Sequence, residues 1–200
     1  MKLTSIVTLV CLLFWAGTAF AQKGSVVKIE DFKIHDVKTP DYGGTADKGG
    51  KGARNKWCRI EVKFSTSEEW LDEVELRWLV LVSADNSKRP LGLFRNVTYE
   101  YVSSGNHYAS VYIRPRFFER FFRSGRTDTS KVSVYVEAYV KGQRVASGDK
   151  RASSGKIPNG WQKMTDQMRK IENALLPKSL TPFAPLDCDY YEDEKITIED

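Results

Sequence analysis

The fold is decided by two stretches of alternating residues, "CRIEVKF" at 58–64 and "VELRWLVLV" at 74–82. In both, apolar side chains occupy every second position. Charged side chains fill all the intervening positions of the first stretch and two of the four in the second. Successive side chains of a β-strand point to opposite faces of the sheet. Each stretch therefore predicts a strand with one buried face, as in an antiparallel sheet with a solvated side.

The same period of two recurs along the chain. A first strand begins at Val27 and has a predicted bulge at Glu30 and Asp31, where the phase of the pattern slips. "SSGN" at 103–106 reads as a turn between two strands, and Gly142 suits a tight hairpin. The remaining strands are predicted around 97–101, 109–113, 132–140 and 144–147. This spacing predicts an immunoglobulin-like antiparallel β-sandwich of about seven or eight strands.

Residues 159–176 depart from the β pattern. Apolar residues recur there at steps of three and four, from Trp161 to Leu175, before Pro177. This spacing predicts a C-terminal amphipathic helix. Such a helix either covers its own sandwich, which is the commoner case, or binds a partner or a membrane.

The stretch "LLPKSLTPFAPLDCDYYEDE" at 175–194 is too apolar to stay in solvent and too rich in proline to be helical. We expect an extended tail that lies on the domain as a strap. Phe183 and Leu186 are its predicted anchors.

The N-terminal residues 1–21 have the layout of a cleaved secretory signal: Lys2, an apolar run, and the small residues Ala19 and Ala21. The alternative is a membrane anchor, but the apolar run is short for that role. We therefore expect export to the periplasm, the outer membrane surface or the medium. The exported chain would hold one sandwich, residues 22–158, with residues 159–200 packed on it.

Charge is distributed unevenly along the chain. Residues 22–186 carry 29 basic and 19 acidic side chains, whereas residues 187–200 carry seven acids and one lysine. A basic body with an acidic end favours an anionic partner or its own tail, although most surface charge only keeps a protein soluble. A glycine-rich loop at 40–56 contributes several of these basic residues.

The stretch "RPRFFERFFRSGR" at 114–126 mixes arginine with phenylalanine. Such mixtures bind polyanions, and the rings can stack on bases. Pro115 instead suits the first turn of a short helix, on which the phenylalanines would form one apolar face. We expect this helix to plug one end of the sandwich, with polyanion or protein binding as the alternatives. The candidate polyanion or partner face comprises Arg114, Arg116, Arg120, Arg123, Arg126, Lys48, Lys51, Arg54 and Lys56.

Two cysteines lie outside the predicted signal, Cys58 and Cys188. In an oxidising compartment they are a candidate disulfide that would clip the tail to the body. Closing so long a loop would stabilise the fold by about 4 to 5 kcal/mol in the chain-entropy model. Two free thiols are the alternative, because sequence does not show whether the Cβ atoms meet.

Catalytic and metal-binding motifs do not stand out. His35 and His107 lie in or beside predicted strands, without a nucleophile motif or metal-ligand spacing nearby. The acids of residues 187–194 lack the glycine and ligand order of a calcium loop, so we expect a solvated acidic end. No cofactor and no enzymatic activity are predicted, and a hydrolase is the least favoured alternative.

The order of parts, a signal, a sandwich, a helix that begins with tryptophan and a proline-rich end, resembles a family of pilus-like proteins from verrucomicrobial bacteria. Their genes accompany type IV pilus components. The most specific portion of the resemblance is "TPFAPLDCDYYE" at 181–192. The resemblance implies an immunoglobulin-like fold without enzymatic activity, and it assigns no individual functional residue.

These observations predict an exported, non-enzymatic protein that contacts pilus or envelope proteins through a sheet edge or loop. The alternative is an extracytoplasmic module that binds nucleic acid or acidic glycan through its basic face. The affinity of such a module would fall steeply with salt.

Overall fold

The computed structural model describes residues 25–42, 56–154 and 157–195. The predicted signal and most of the glycine-rich loop lie outside the described residues. The described chain forms seven strands, which are β1 (Val27–Val37), β2 (Trp57–Val82), β3 (Leu91–Ile113), β4 (Val132–Val140), β5 (Gln143–Lys150), β6 (Arg169–Lys170) and β7 (Leu175–Pro177). Its α-helix is α1 (Pro115–Phe121), and short 3-10 helices span Thr129–Lys131, Trp161–Lys163, Thr165–Gln167 and Lys178–Leu180. No helix in this part of the chain is long and apolar enough to cross a membrane.

Strands β2 and β3 form one long antiparallel ribbon of 26 and 23 residues. The sequence predicts four shorter strands here, with a turn at 103–106. The prediction of a turn is wrong, because β3 continues through these residues. The ribbon bends at this point instead, because residues 67–69 of β2 lie opposite a single residue of β3. Gly105 adopts a φ of 127° there, a backbone conformation that glycine tolerates. Both halves of β3 keep β2 as their partner, so the chain has no reason to reverse.

The bend places the two halves of the ribbon in two layers. The first layer contains β1, the first half of β2, the second half of β3, and β7. The second layer contains the second half of β2, the first half of β3, and β4, β5 and β6. Buried side chains from both layers form one continuous core. The fold is therefore mainly β, and it is consistent with a β-sandwich.

Helix α1 closes the end of the sandwich opposite the bend. Pro115 stands at the start of the helix, as predicted, and the four phenylalanines of the segment are buried in the core. The backbone N–H of Asn86, in the β2–β3 loop, donates to the carbonyl of Phe121 at 3.1 Å. The hydroxyl of Thr127 donates to the carbonyl of Lys56, just before β2. The predicted plug is thus confirmed.

Two local predictions of strand geometry are also confirmed. The register of β1 against β2 shifts between Ile29 and Asp31, which is the predicted bulge. Lys141 and Gly142 join β4 to β5 with φ values of 51° and 75°. Two consecutive residues with positive φ suit a tight hairpin between twisted strands.

The amphipathic helix predicted at 159–176 is wrong. The segment contains two 3-10 turns, the short strands β6 and β7, and a residue with positive φ at Asn173. Its apolar residues serve different surfaces: Trp161 and Met168 pack on the outer face of the second layer, whereas Leu175 enters the core. The apolar residues have helical spacing because successive turns of the chain place one apolar side chain each against a different surface of the sandwich.

Candidate functional site

The strap, residues 175–195, covers the outer face of the first layer. Leu176 and Phe183 pack there with Trp57 and Tyr112, and Leu186 lies partly buried against them. The ring of Phe183 stacks on Tyr112 with centroids 4.8 Å apart, and meets Trp57 edge-on at 5.7 Å. Both predicted anchors therefore lie in this aromatic cluster.

Polar side chains of the strap bind specific partners on the body. The hydroxyl of Tyr191 donates to the carboxylate of Glu61 at 2.7 Å, and both side chains are buried. Burial, together with this hydrogen bond, raises the pKa of Tyr191. Tyr190 stacks on Tyr108 at 4.2 Å. Burial raises the pKa of Tyr190 to about 12.

The acidic end is more than the solvated cluster that the sequence predicts. Oε1 of Glu192 lies 2.6 Å from Nδ1 of His107. Glu194 accepts hydrogen bonds from the backbone N–H groups of Lys178 and Ser179 at 2.9 and 3.0 Å. These carboxylates hold the strap in place, because buried or half-buried acceptors are stable only when paired.

The strap also covers the edge of β3 that faces away from β2. Strand β7 pairs with residues 111–113 of β3. Further along, the N–H of Glu192 donates to the carbonyl of Tyr108, and the N–H of Lys195 donates to the carbonyl of Thr98. An uncovered edge is a site for unwanted strand pairing, so the strap both completes and protects the sheet.

The candidate disulfide does not form in this structure. Cys58 and Cys188 are free thiols, the first buried in the core and the second exposed on the strap. The physical reason is the alternation along β2. Trp57 points outward beneath the strap, so Cys58 must point inward, on the opposite face of the sheet. Burial raises the pKa of the Cys58 thiol, which makes it a poor nucleophile.

The two histidines have structural partners. The guanidinium of Arg59 lies 3.1 Å from Nε2 of His35, and burial together with this neighbouring charge lowers the pKa of His35. Nε2 of His107 lies 2.9 Å from the carbonyl oxygen of Ser103. No group of three or more potential metal ligands forms among the described residues.

The hydroxyl of Thr66, the imidazole of His107 and the carboxylate of Glu192 lie side by side in space. Oγ1 of Thr66 lies 3.1 Å from Nε2 of His107, the order of groups found in a catalytic triad. However, the Thr66 hydroxyl donates to the carbonyl of Ser103, and the residue is only 8 % exposed. A nucleophile needs room for its substrate, so these three residues are better explained as a hydrogen-bonded contact that holds the strap to the bend of the ribbon.

The predicted basic face divides into three parts. Lys48, Lys51 and Arg54 lie outside the described residues. Lys56 forms an ion pair with Asp36. The rest of the face belongs to the arginine plug, our name for residues 114–126, whose five arginines are all exposed around α1. They are Arg114, Arg116, Arg120, Arg123 and Arg126.

The opposite end of the sandwich carries an acidic surface that sequence analysis missed. We call it the acidic bend: residues 65–73 of β2 and residues 100–106 of β3. These segments contain five acids and no base. Two aromatic side chains stand among the acids, Trp70 with 63 % and Tyr101 with 75 % of its surface exposed. The available signal was "SEEWLDE", which looks like a mere connection when each half of β2 is taken as a separate strand.

A second exposed apolar pair lines a cleft at the edge of β3. The cleft, of about 750 Å³, is lined by residues 94–98, the end of β7 and the strap. Phe94 and Leu180 are its exposed apolar side chains. Lys170 lies over the ring of Phe94, with its Nζ 5.6 Å from the centroid.

The chain is similar to a protein from Akkermansia muciniphila whose crystal structure superposes with a TM-score of 0.66. The two chains are 23% identical, over 86% of this chain and 93% of the other, which supports the fold. A search of the curated proteins found no significant match. A protein-family model matches residues 18–197, nearly the whole sequence. The chain therefore belongs to this family of pilus-like proteins.

Proposed function

We propose that this protein is an exported, non-enzymatic component of the cell envelope, which acts by binding other proteins in association with type IV pilus machinery. Membership of the pilus-like family supports a structural role. The N-terminal signal pattern supports export.

The acidic bend is the observation that carries the proposal. Most large apolar side chains of the described residues are buried in the core or under the strap, yet Trp70 and Tyr101 extend into solvent. Tryptophan and tyrosine are enriched among the residues that dominate the energy of protein interfaces. Two exposed aromatic rings on neighbouring strands at one end of the sandwich favour a contact surface.

A pull-down from native envelope extract tests the proposal. The protein is immobilised, bound material is eluted in steps of increasing salt, and each fraction is identified by mass spectrometry. We expect pilus or envelope proteins to be retained. The double substitution Trp70→Ala/Tyr101→Ala should remove them, because it deletes the aromatic anchors of the contact.

The double substitution Phe94→Ala/Leu180→Ala provides a matched control. It also removes two exposed apolar side chains, but at the β3 edge rather than at the bend. Binding lost equally in both variants would contradict the role of the bend. Elution of only nucleic acid or acidic glycan at modest salt would reject the proposed function, and would favour polyanion binding by the arginine plug.

A further inference from the structure

The two ends of the sandwich carry opposite charge. The arginine plug holds five arginines and one glutamate. The β2–β3 loop beside it carries the exposed Lys88 and Arg89 and one acid, Asp85, which pairs with Lys131. The acidic bend holds five acids and no base. Lys195 pairs with two of these acids, Glu73 and Glu100. Acid remains in excess at the bend, and base at the plug.

The two charged ends do not meet within one molecule. The first half of β2, residues 57–66, runs from the plug to the bend, so the ends lie about 30 Å apart at roughly 3.3 Å per residue. Charges so far apart are screened from each other, since the Debye length is about 8 Å at physiological salt. A contact between the plug and the bend therefore has to join two molecules.

We infer that the acidic bend of one copy binds the arginine plug of a second copy, so that the protein assembles head to tail. The inference rests on the proposed function, because it names the partner that the bend contacts. A contact between different surfaces of identical chains leaves one plug and one bend free at the ends of each assembly. It therefore propagates into a linear array unless the rotation closes it into a ring.

The chemistry of the two surfaces supports this pairing. Arginine guanidinium groups bind over tryptophan and tyrosine rings, and tryptophan is the best such acceptor. The plug supplies exposed arginines, and the bend supplies the rings of Trp70 and Tyr101. Glu69 and Asp72 are exposed beside these rings and can meet further arginines. Complementary charge sets the orientation of such a contact, while the aromatic rings provide buried area.

Sedimentation velocity tests the inference on the full chain, expressed with residues 1–21 in place and purified. At about 0.05 M salt, species larger than a dimer should grow with protein concentration. At about 1 M salt they should disappear, because the Debye length there is only about 3 Å.

Charge reversal tests which surfaces meet. The variants Glu69→Lys/Asp72→Lys and Arg120→Glu/Arg123→Glu should each weaken self-association at least about tenfold. All four side chains are exposed, so unchanged thermal unfolding will show that both variants fold. Mixing the two variants should restore association, because each contributes one intact surface to a shared contact. A symmetric contact of one surface with itself has no such rescue.

The variant Asp166→Lys/Glu172→Lys is the matched control. It changes two exposed acids outside the bend, with the same shift in net charge, and should still assemble. The substitution Trp70→Ala should weaken assembly while leaving its salt dependence, because it removes a ring but no charge.

Two results would overturn the inference. One is a strictly monomeric protein at low salt, whether or not heparin or DNA binds its plug. The other is a pair of variants whose mixing restores nothing, in a dimer or in a larger species. If the monomeric protein still captures envelope proteins, the proposed function stands and only self-assembly fails. If the protein assembles but captures nothing, self-assembly stands and the proposed binding of envelope proteins fails.

Discussion

The core of the sandwich and the strap on its outer face bury apolar residues by different means. In the core, aliphatic side chains such as Ile60, Val62 and Val80 alternate along the strands and face each other across the layers. Their burial depends on area and volume, not on particular partners. Under the strap, each contact is specific, as in the stacking of Phe183 on Tyr112 and the hydrogen bond from Tyr191 to Glu61.

This difference predicts which parts of the molecule unfold cooperatively and which part opens by itself. A core residue contacts both layers, so its loss weakens the whole fold. A strap residue holds one segment to one face, and local opening of that segment needs less free energy than global unfolding. Substitutions in the two regions should therefore differ in which amides they expose, as well as in magnitude.

The largest effect is expected from Phe118→Ala. Phe118 is fully buried in the plug, in contact with Phe117 and Phe122. Deleting its ring leaves a cavity, and the free energy of unfolding should fall by about 3 to 5 kcal/mol. Urea denaturation measures the change. Phe94→Ala, at an exposed position, should stay within about 0.5 kcal/mol. Similar losses in both variants would mean that the plug is not part of the core.

A smaller and more local effect is expected from Phe183→Ala. The ring lies between Trp57 and Tyr112, and its loss should cost about 3 kcal/mol. Hydrogen exchange should increase in the strap before it increases in β2, because the strap is released while the sandwich stays folded. A uniform increase over both segments would show that core and strap unfold as one unit, against the comparison.

The elements that sequence predicted well depend on local periodicity. Alternation located the strands, the phase slip located the bulge after Ile29, and the residue pair ending in Gly142 located the hairpin. Each of these signals is complete within a few residues, so no distant partner is needed to interpret it.

The elements that sequence missed depend on distant partners. Residues 103–106 form a bend because β2 is long enough to pair with both halves of β3. The apolar residues from Trp161 to Leu175 look helical, but they pack on different faces of the sandwich.

Two further features could have been predicted from the sequence alone. Alternation already placed Cys58 on the inner face of its strand, and a strap that lies on the outer face cannot reach it. The acidic bend needed only the recognition that β2 is continuous through Trp70.

Tyr191→Phe sharpens the comparison by removing one polar contact and almost no volume. It leaves the buried carboxylate of Glu61 without its hydroxyl donor. A hydrogen bond to a charged group contributes about 1.5 to 3 kcal/mol, so the free energy of unfolding should fall by that amount at neutral pH. A change below about 0.5 kcal/mol would indicate that water replaces the tyrosine.

The same residue predicts a pH dependence. Folding raises the pKa of Tyr191 above its usual value of about 10, so the folded chain holds this proton more tightly than the unfolded chain. The stabilisation is fully present below pH about 10, and it is lost as the pH rises further. The decline should be less steep in Tyr191→Phe, and equal slopes in the two proteins would contradict the assignment.

The smallest effect is expected from removing the thiol on the strap. If Cys58 and Cys188 are unpaired in the exported protein, reductant should leave the melting temperature unchanged. Cys188→Ser should then alter the free energy of unfolding by less than about 0.5 kcal/mol, because the side chain is exposed.

A thiol reagent should label Cys188 in the folded protein and Cys58 only on unfolding, since burial raises the pKa of the Cys58 thiol. A disulfide would instead block both labels, and its removal would cost about 2 to 5 kcal/mol. Labelling of Cys188 alone would confirm that aromatic and polar contacts hold the strap without a covalent link.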